Sequence, residues 1–552
     1  MIERLTIALA QLNPTVGDVK ANADLVREAR VQAKAQGADL LMTSELVISG
    51  YPPEDLVLKG SFQDAVRKAV AALALETSDG GPGLLISAPW VENGKLYNAA
   101  LLLDGGRILA VVPKFDLPNY GVFDEKRLFS AGPCPGAVNF RGLRLGIMTC
   151  EDMWTPKVAK CVMEDGADIL LVLNGSPYEM DKTGTREGLA EDRVRETGLS
   201  LVYVNQAGGQ DELVFDGASF VLDADGKMCA QLPSFANEVL SVGFELDNDT
   251  LVPSAQPLAA KLDDNEAIYR ALVLGLGDYV NKNHFPGVMI GLSGGVDSAI
   301  TAAIAVDALG SDRVHCVMMP SPYTSKESLE DAAKAAAALG VKLDTITIGP
   351  AMNAFDDMLK EQFVQHPKDT TEENIQARSR GMILMAMSNK FGYMVLSTGN
   401  KSEMSVGYST LYGDMCGGYN VLKDVYKTRV YDLCRWRNAN HPAGLLGKAG
   451  EVVPKRIITK APSAELKHDQ TDQDTLPPYA HLDDILWCLI EQEMSTAEIA
   501  ARGHAQELVR KVWRMLDRAE YKRRQAPPGV KISSRAFGRD RRYPLTNGFT
   551  AK

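Results

Sequence analysis

Three residues in the first half of the chain have types that combine into nucleophilic chemistry: Glu45 after "ADLLMTS", Lys114 after "ILAVVP" and Cys150 after "LRLGIMT". Each follows an apolar run, so each is expected at a strand end, where open α/β architectures gather catalytic groups. The reactive form of cysteine is the thiolate, and a nearby ammonium favours it. A carboxylate can then carry the proton as general base and acid. Glu45, Lys114 and Cys150 thus supply base, cation and nucleophile without a histidine. Glu151 and Asp152, which directly follow the cysteine in "GIMTCEDMW", would oppose thiolate formation. They read instead as turn, cap or pocket residues, and Lys114 is expected to outweigh them.

A second set lies in the other half. The stretch "GLSGGVDS" comprises Gly291, Leu292, Ser293, Gly294, Gly295, Val296, Asp297 and Ser298. It ends the apolar run Val288–Leu292 and opens the helical run "AITAAIAVDAL". Glycines let the backbone wrap an anion, and the following helix N-terminus adds positive potential. This is a phosphate cradle, yet the Gly-x-x-x-x-Gly-Lys-Ser/Thr order of the Walker loop is absent.

The elements that must position these residues follow from periodicity. In the first half, apolar runs at Leu5–Leu12, Asp39–Met42, Leu84–Ala88, Ala99–Leu103, Ile108–Val112, Leu143–Thr149, Ile169–Leu173 and Leu201–Val204 predict strands. Few helices accompany them, which implies a sandwiched α/β domain. Between Asp247 and Leu262 periodicity is lost and Pro, Ser and Asp gather, so this segment reads as an inter-domain connection. Beyond it, Val288–Leu292, Val314–Met319, Leu343–Ile348 and Met394–Leu396 alternate with long helical stretches such as Ser325–Ala338 and Asn374–Lys390. Strand, helix, strand predicts a parallel sheet with crossovers. From about Pro477 the chain is mostly helical and ends in a basic, Pro/Gly-interrupted tail.

With 552 residues, 45% apolar and 24% charged, the chain is expected to fold as two globular domains. A formal net charge of -12 argues against a general nucleic-acid binder. The eight cysteines form no CxxC pair, so they read as reduced and the protein as cytoplasmic. No run of apolar residues is long enough for a membrane span, and the histidines and cysteines show no metal-ligand spacing.

Over residues 1–250, "SELVISGYPPEDL", "PKFDLPNYGVFDE" and "GIMTCEDMW" resemble, in order, the three motifs of the nitrilase or carbon–nitrogen hydrolase superfamily. That resemblance implies an α-β-β-α sandwich and cleavage of an amide through a covalent thioester. Glu45 would be the base, Cys150 the nucleophile, and Lys114 the group stabilising the tetrahedral oxyanion. The glutamine-hydrolysing branch further implies that Tyr120, Ser176 and Lys182 hold L-glutamine.

The strand–SGGVDS–helix stretch resembles the ATP-pyrophosphatase (PP-loop) family, whose members adenylate a carboxylate or carbonyl so that ammonia or sulfur can displace AMP. Asp297 and Glu403 then become hard-oxygen ligands for Mg²⁺. "ENIQARSRG" and "STGNKSEMSVGY" are similar to the NAD⁺ synthetase family. This implies that Asn374, Arg378, Glu403 and Lys522 face deamido-NAD⁺, Lys522 that of a subunit, and that Thr398, Lys427 and Ser463 join the SGGVDS loop around ATP. Domains at 1–250 and 263–552 with a connection at 251–262 are expected. So is amidation of adenylated deamido-NAD⁺ by ammonia from L-glutamine, carried through a buried inter-domain channel in a homo-oligomer. Open beside it stand an ammonia-dependent enzyme with an inactive first domain, a scaffold of two inactive folds, and a synthetase for GMP or asparagine.

Overall fold

The computed structural model describes residues 4–180, 182–247, 250–468 and 470–549. The chain divides into two compact units, Met1–Leu262 and Asp263–Lys552.

In the first unit two sheets lie face to face. One runs in the order Thr250–Pro253, Glu238–Asp247, Arg4–Gln11, Leu40–Met42, Gly83–Glu92, Lys95–Asp104, Arg107–Pro113. The other runs Met228–Gln231, Phe220–Leu222, Leu201–Asn205, Ile169–Asn174, Leu143–Thr149, Val138–Phe140. Strand alternation sorts the side chains. Leu5, Ile7 and Leu9 point into the inter-sheet core against Leu145, Ile147, Leu171 and Val204. Ala8 and Ala10 point outward under the helices Val19–Ala35 and Gly60–Glu76. Met148, Leu170 and Val172 likewise pack outward under Pro156–Glu164 and Lys182–Thr197. Both faces of each sheet are therefore apolar, and the layering is α-β-β-α.

Two sequence expectations need correction here. The supposed connection at 251–262 begins inside this unit, because Thr250–Pro253 pairs antiparallel with Glu238–Asp247 and Leu258 bridges Gln231. A fully buried Leu251 draws the segment onto the sheet, and a proline at the end of an edge strand obscured it in the sequence. The cysteines are also not all free, since Cys134 and Cys161 are joined by a disulfide. Asp165, directly after the helix Pro156–Glu164, accepts from the backbone N–H of Ala137 and pairs with Arg144. These bonds carry the Cys134 loop across the helix that bears Cys161.

In the second unit a parallel sheet runs in the order Lys342–Thr345, Val314–Met318, Val288–Gly291, Met394–Ser397, Tyr419–Asn420. The chain leaves Val288–Gly291 toward one edge and later returns on its other side at Met394–Ser397. That reversal opens a crevice at the carboxyl ends of these two strands, the usual ligand position in such sheets. The expected strand Leu343–Ile348 stops at Thr345, and the expected helices appear as Lys326–Leu339 and Thr370–Phe391. No described helix is long and apolar enough to cross a membrane.

Candidate active sites

In the first unit, Glu45 and Lys114 meet in the interior, both essentially without solvent exposure. Lys114 Nζ donates to Glu45 Oε1 at 2.8 Å and to both oxygens of Glu125 at 3.0 Å. Asn98 Nδ2 also donates to Glu45 Oε1, at 2.7 Å. Glu45 Oε2 is buried with no hydrogen-bond partner. A Cβ at Gly175 would come within 3.1 Å of that oxygen and 2.9 Å of the Tyr51 ring, so the glycine preserves the space around it. One carboxylate oxygen is thus anchored by two donors while its twin stays free to take a proton.

Cys150 follows the strand Leu143–Thr149 and opens a short 3-10 turn, Cys150–Met153. Its φ of 46° is left-handed, a strained conformation for a residue with a Cβ. Asp152 holds this elbow: its carboxylate accepts the N–H of Thr149 at 3.0 Å and those of Phe115 and Asp116 at 3.1 and 2.8 Å. Glu151 accepts from Tyr120 Oη at 3.1 Å. Asp152 is therefore a cap, one of the roles the sequence suggested, while Glu151 is tied to Tyr120.

The expectation that Lys114 outweighs the surrounding acids does not hold. Burial first and the Glu45 carboxylate second push the Cys150 thiol well above its ordinary value, and Lys114 offsets only part of this. The reason is that Lys114 is already neutralised by Glu45 and Glu125, which keep its ammonium charged despite burial. Glu125 itself is raised to about 7, chiefly by burial. Sequence reasoning missed Glu125, Asn98 and Tyr51, whose hydroxyl donates to Glu125 at 3.0 Å. Glu125 closes the stretch "PKFDLPNYGVFDE", but nothing local distinguishes it from a surface glutamate.

The candidate glutamine contacts are placed unequally. Tyr120 is half exposed, and its ring meets that of Phe123 edge-on at 5.5 Å. Lys182 Nζ lies 5.8 Å from the same Phe123 ring, so Phe123 joins the two. Ser176 is buried, with its backbone pinned by Asn205 on both sides, two residues beyond the Asn174 carbonyl that accepts the Glu45 N–H.

In the second unit, Gly291–Ser298 lines a cavity of about 290 Å³ together with Thr398, Glu403, Lys427 and Ser463. Gly294 has φ +81°, and a Cβ there would fall 2.3 Å from the Ser328 carbonyl oxygen, so only glycine fits. Ser298 Oγ donates to the Gly295 carbonyl at 3.0 Å, and Gly295 caps the helix Val296–Leu309. Asn400 Nδ2 donates to Asp297 at 2.8 Å, tying the loop to the TGNKSE segment. Lys427 bridges the two proposed metal ligands: it contacts Asp297 and donates to Glu403 at 3.0 Å. Burial raises Glu403 to about 7, partly offset by Lys427 and reinforced by Asp297. Among the described residues no group of three or more His, Cys, Asp or Glu could hold a metal. Two hard carboxylates beside a phosphate cradle nonetheless match what Mg²⁺ takes when substrate phosphates complete its shell.

Asn374, Arg378 and Lys522 do not line this cavity. They converge instead on the adjoining loop 407–412. Asn374 accepts from Thr410 Oγ1 at 2.9 Å, Arg378 Nε donates to the Leu411 carbonyl at 3.2 Å, and Lys522 Nζ donates to the carbonyls of Gly407 and Ser409 at 2.7 and 2.6 Å. Lys522 thus turns onto its own chain here, at the loop that Asn374 and Arg378 also hold. Much of the basic tail is absorbed in the same way, with Arg523, Arg524 and Arg541 all paired to Glu520.

A thiol, a free carboxylate oxygen and a buried ammonium in an α-β-β-α unit define a carbon–nitrogen hydrolase, here joined to a unit with a phosphate loop. Comparison with known proteins agrees: the carbon-nitrogen hydrolase family matches residues 6–250, and the NAD synthase family matches residues 268–526. The chain is 49% identical to a glutamine-dependent NAD(+) synthetase of Rhodobacter capsulatus, covering 99% of each chain. It is 42% identical to that of Thermotoga maritima, again over 99% of each. A solved glutamine-dependent NAD⁺ synthetase from Acinetobacter baumannii, in complex with ADP, aligns over 100% of both chains with a TM-score of 0.79 and 44% identity. The chain belongs to the family of glutamine-dependent NAD(+) synthetases.

Proposed function

We propose that the first unit hydrolyses L-glutamine and that the second uses the released ammonia to amidate ATP-adenylated deamido-NAD⁺, giving NAD⁺, AMP and pyrophosphate. The observation that carries this reading is the free Oε2 of Glu45 in a sealed site that also holds Lys114 and Cys150. Because the thiol is protonated at rest, attack on the glutamine amide is coupled to proton transfer from Sγ to Glu45 Oε2. Glu45 then returns that proton to the leaving ammonia and activates water against the thioester. Lys114 stabilises the tetrahedral oxyanion. Tyr120, Ser176 and Lys182 hold glutamine, with the Glu151 carboxylate suited to its ammonium.

In the second unit the SGGVDS backbone, Thr398, Lys427 and Ser463 bind ATP, while Asn374, Arg378, Glu403 and Lys522 shape the dinucleotide side. Asp297 and Glu403 would hold Mg²⁺, which offsets charge developing on pyrophosphate. Lys427 keeps these carboxylates compensated before nucleotide arrives. We also propose a cytoplasmic homo-oligomer. The helices Gly349–Phe363 and Thr370–Phe391 expose Phe355, Met358, Met382 and Phe391, an apolar surface suited to a second copy of the chain.

The test is product analysis with L-glutamine, Mg-ATP and deamido-NAD⁺. Equal amounts of NAD⁺, AMP and pyrophosphate are expected, with glutamate. Formation of ADP, or equal turnover with xanthosine monophosphate or aspartate in place of deamido-NAD⁺, contradicts the reading.

A further inference from the structure

The helix Thr370–Phe391 carries two arginines two residues apart, and they part company by about 200° around its axis. Arg378 turns to the loop 407–412. Arg380 lines the phosphate-loop cavity on the same helix face as Ala377, Gly381 and Leu384, where it is the single charged residue. Its Nε donates to the Met319 carbonyl at 3.0 Å, which fixes the plane of the guanidinium.

The charges around this cavity make Arg380 distinctive. Lys427 is committed to Asp297 and Glu403, and Lys460 is paired with Glu465 at 3.1 Å. Among the described residues, Arg380 is the cavity cation with no carboxylate in ion-pair range and no hydrogen bond beyond the one from Nε. A partly buried guanidinium held by one nitrogen and otherwise unpaired is desolvated at a cost that only an incoming anion repays. Burial accordingly lowers its pKa from the ordinary arginine value, with Glu465 and Asp414 offsetting only part.

We propose that Arg380 binds the phosphate chain of ATP, acting together with the SGGVDS backbone that lines the same cavity. This rests on reading the cavity as the ATP site. The planar, forked guanidinium suits two phosphate oxygens, whereas a lysine at the same place would offer only a point charge.

The experiment measures binding of ATP, inorganic pyrophosphate and adenosine to the full-length protein by calorimetry in magnesium buffer, for the wild type, Arg380→Gln and Arg380→Lys. Arg380→Gln is expected to weaken ATP and pyrophosphate by about tenfold or more and leave adenosine unchanged, with Arg380→Lys recovering part of the loss. If Arg380→Gln does not fold, judged by its thermal transition, Arg380→Lys carries the test by the same pyrophosphate-against-adenosine contrast. Unchanged pyrophosphate affinity, or an equal loss for adenosine, overturns the inference. Wild-type protein that binds neither ATP nor pyrophosphate overturns the cavity reading and this inference with it; a binding wild type with an unaffected variant overturns this inference alone.

Discussion

Each unit places a buried lysine between two carboxylates, and the two lysines serve opposite ends. Lys114 sits between Glu45 and Glu125, and Lys427 between Asp297 and Glu403. In both clusters burial lifts one glutamate to about 7, Glu125 in the first and Glu403 in the second. The first cluster is sealed. Its charged groups are paired with one another away from solvent, and chemistry is left to the one oxygen that none of them uses. The second opens onto a cavity beside a phosphate loop, so an incoming charge can reach its ion pairs. A buried ion cluster therefore does not reveal its role by composition; what matters is which atom it leaves unsatisfied and whether a ligand can reach it.

The comparison is broken most forcefully by removing the free oxygen. Glu45→Gln is expected to cut glutamine-driven synthesis by about 10³-fold while ammonium-driven synthesis persists. If both fall together, the two clusters are not functionally separate. Glu403→Gln should do the reverse, lowering ammonium-driven synthesis by about 10²-fold with nucleotide-free glutamine hydrolysis preserved. Asn98→Ala removes one of the two donors on Glu45 Oε1 and should reduce glutaminase kcat by about tenfold, with little change in KM for glutamine.

The smallest effect concerns pH. An unfolded glutamate loses its proton near 4.5, whereas Glu125 in the fold holds it to about 7. Between these values the folded chain binds more protons than the unfolded one, so stability falls as pH rises through that window. Thermal midpoints of the wild type should decline from pH 5 to pH 7 more steeply than those of Glu125→Gln. Equal slopes would mean that Glu125 is ionised throughout.

The sequence revealed residues that end strands and missed those that do not. Glu45, Lys114 and Cys150 each close an apolar run, which is a local signal. Asn98 lies in mid-strand, and Glu125 lies on a short helix, so only tertiary packing brings them to the lysine. Charge balance was the harder inference: the effect of Lys114 on the thiol had the right sign, but the partners that neutralise it were invisible. The same limit applies to Arg378 and Arg380, whose separation into loop contact and cavity wall depends on how the helix is rotated. The edge strand Thr250–Pro253 was hidden because Pro and Ser mask a single buried leucine.

The central claim is that Cys150 feeds ammonia to chemistry carried out by the other unit. It is tested most directly by measuring NAD⁺ formation by Cys150→Ala in parallel with glutamine and with ammonium. The account predicts no glutamine-driven product and ammonium-driven synthesis close to that of the wild type. Glutamine-driven synthesis that survives in Cys150→Ala would contradict it.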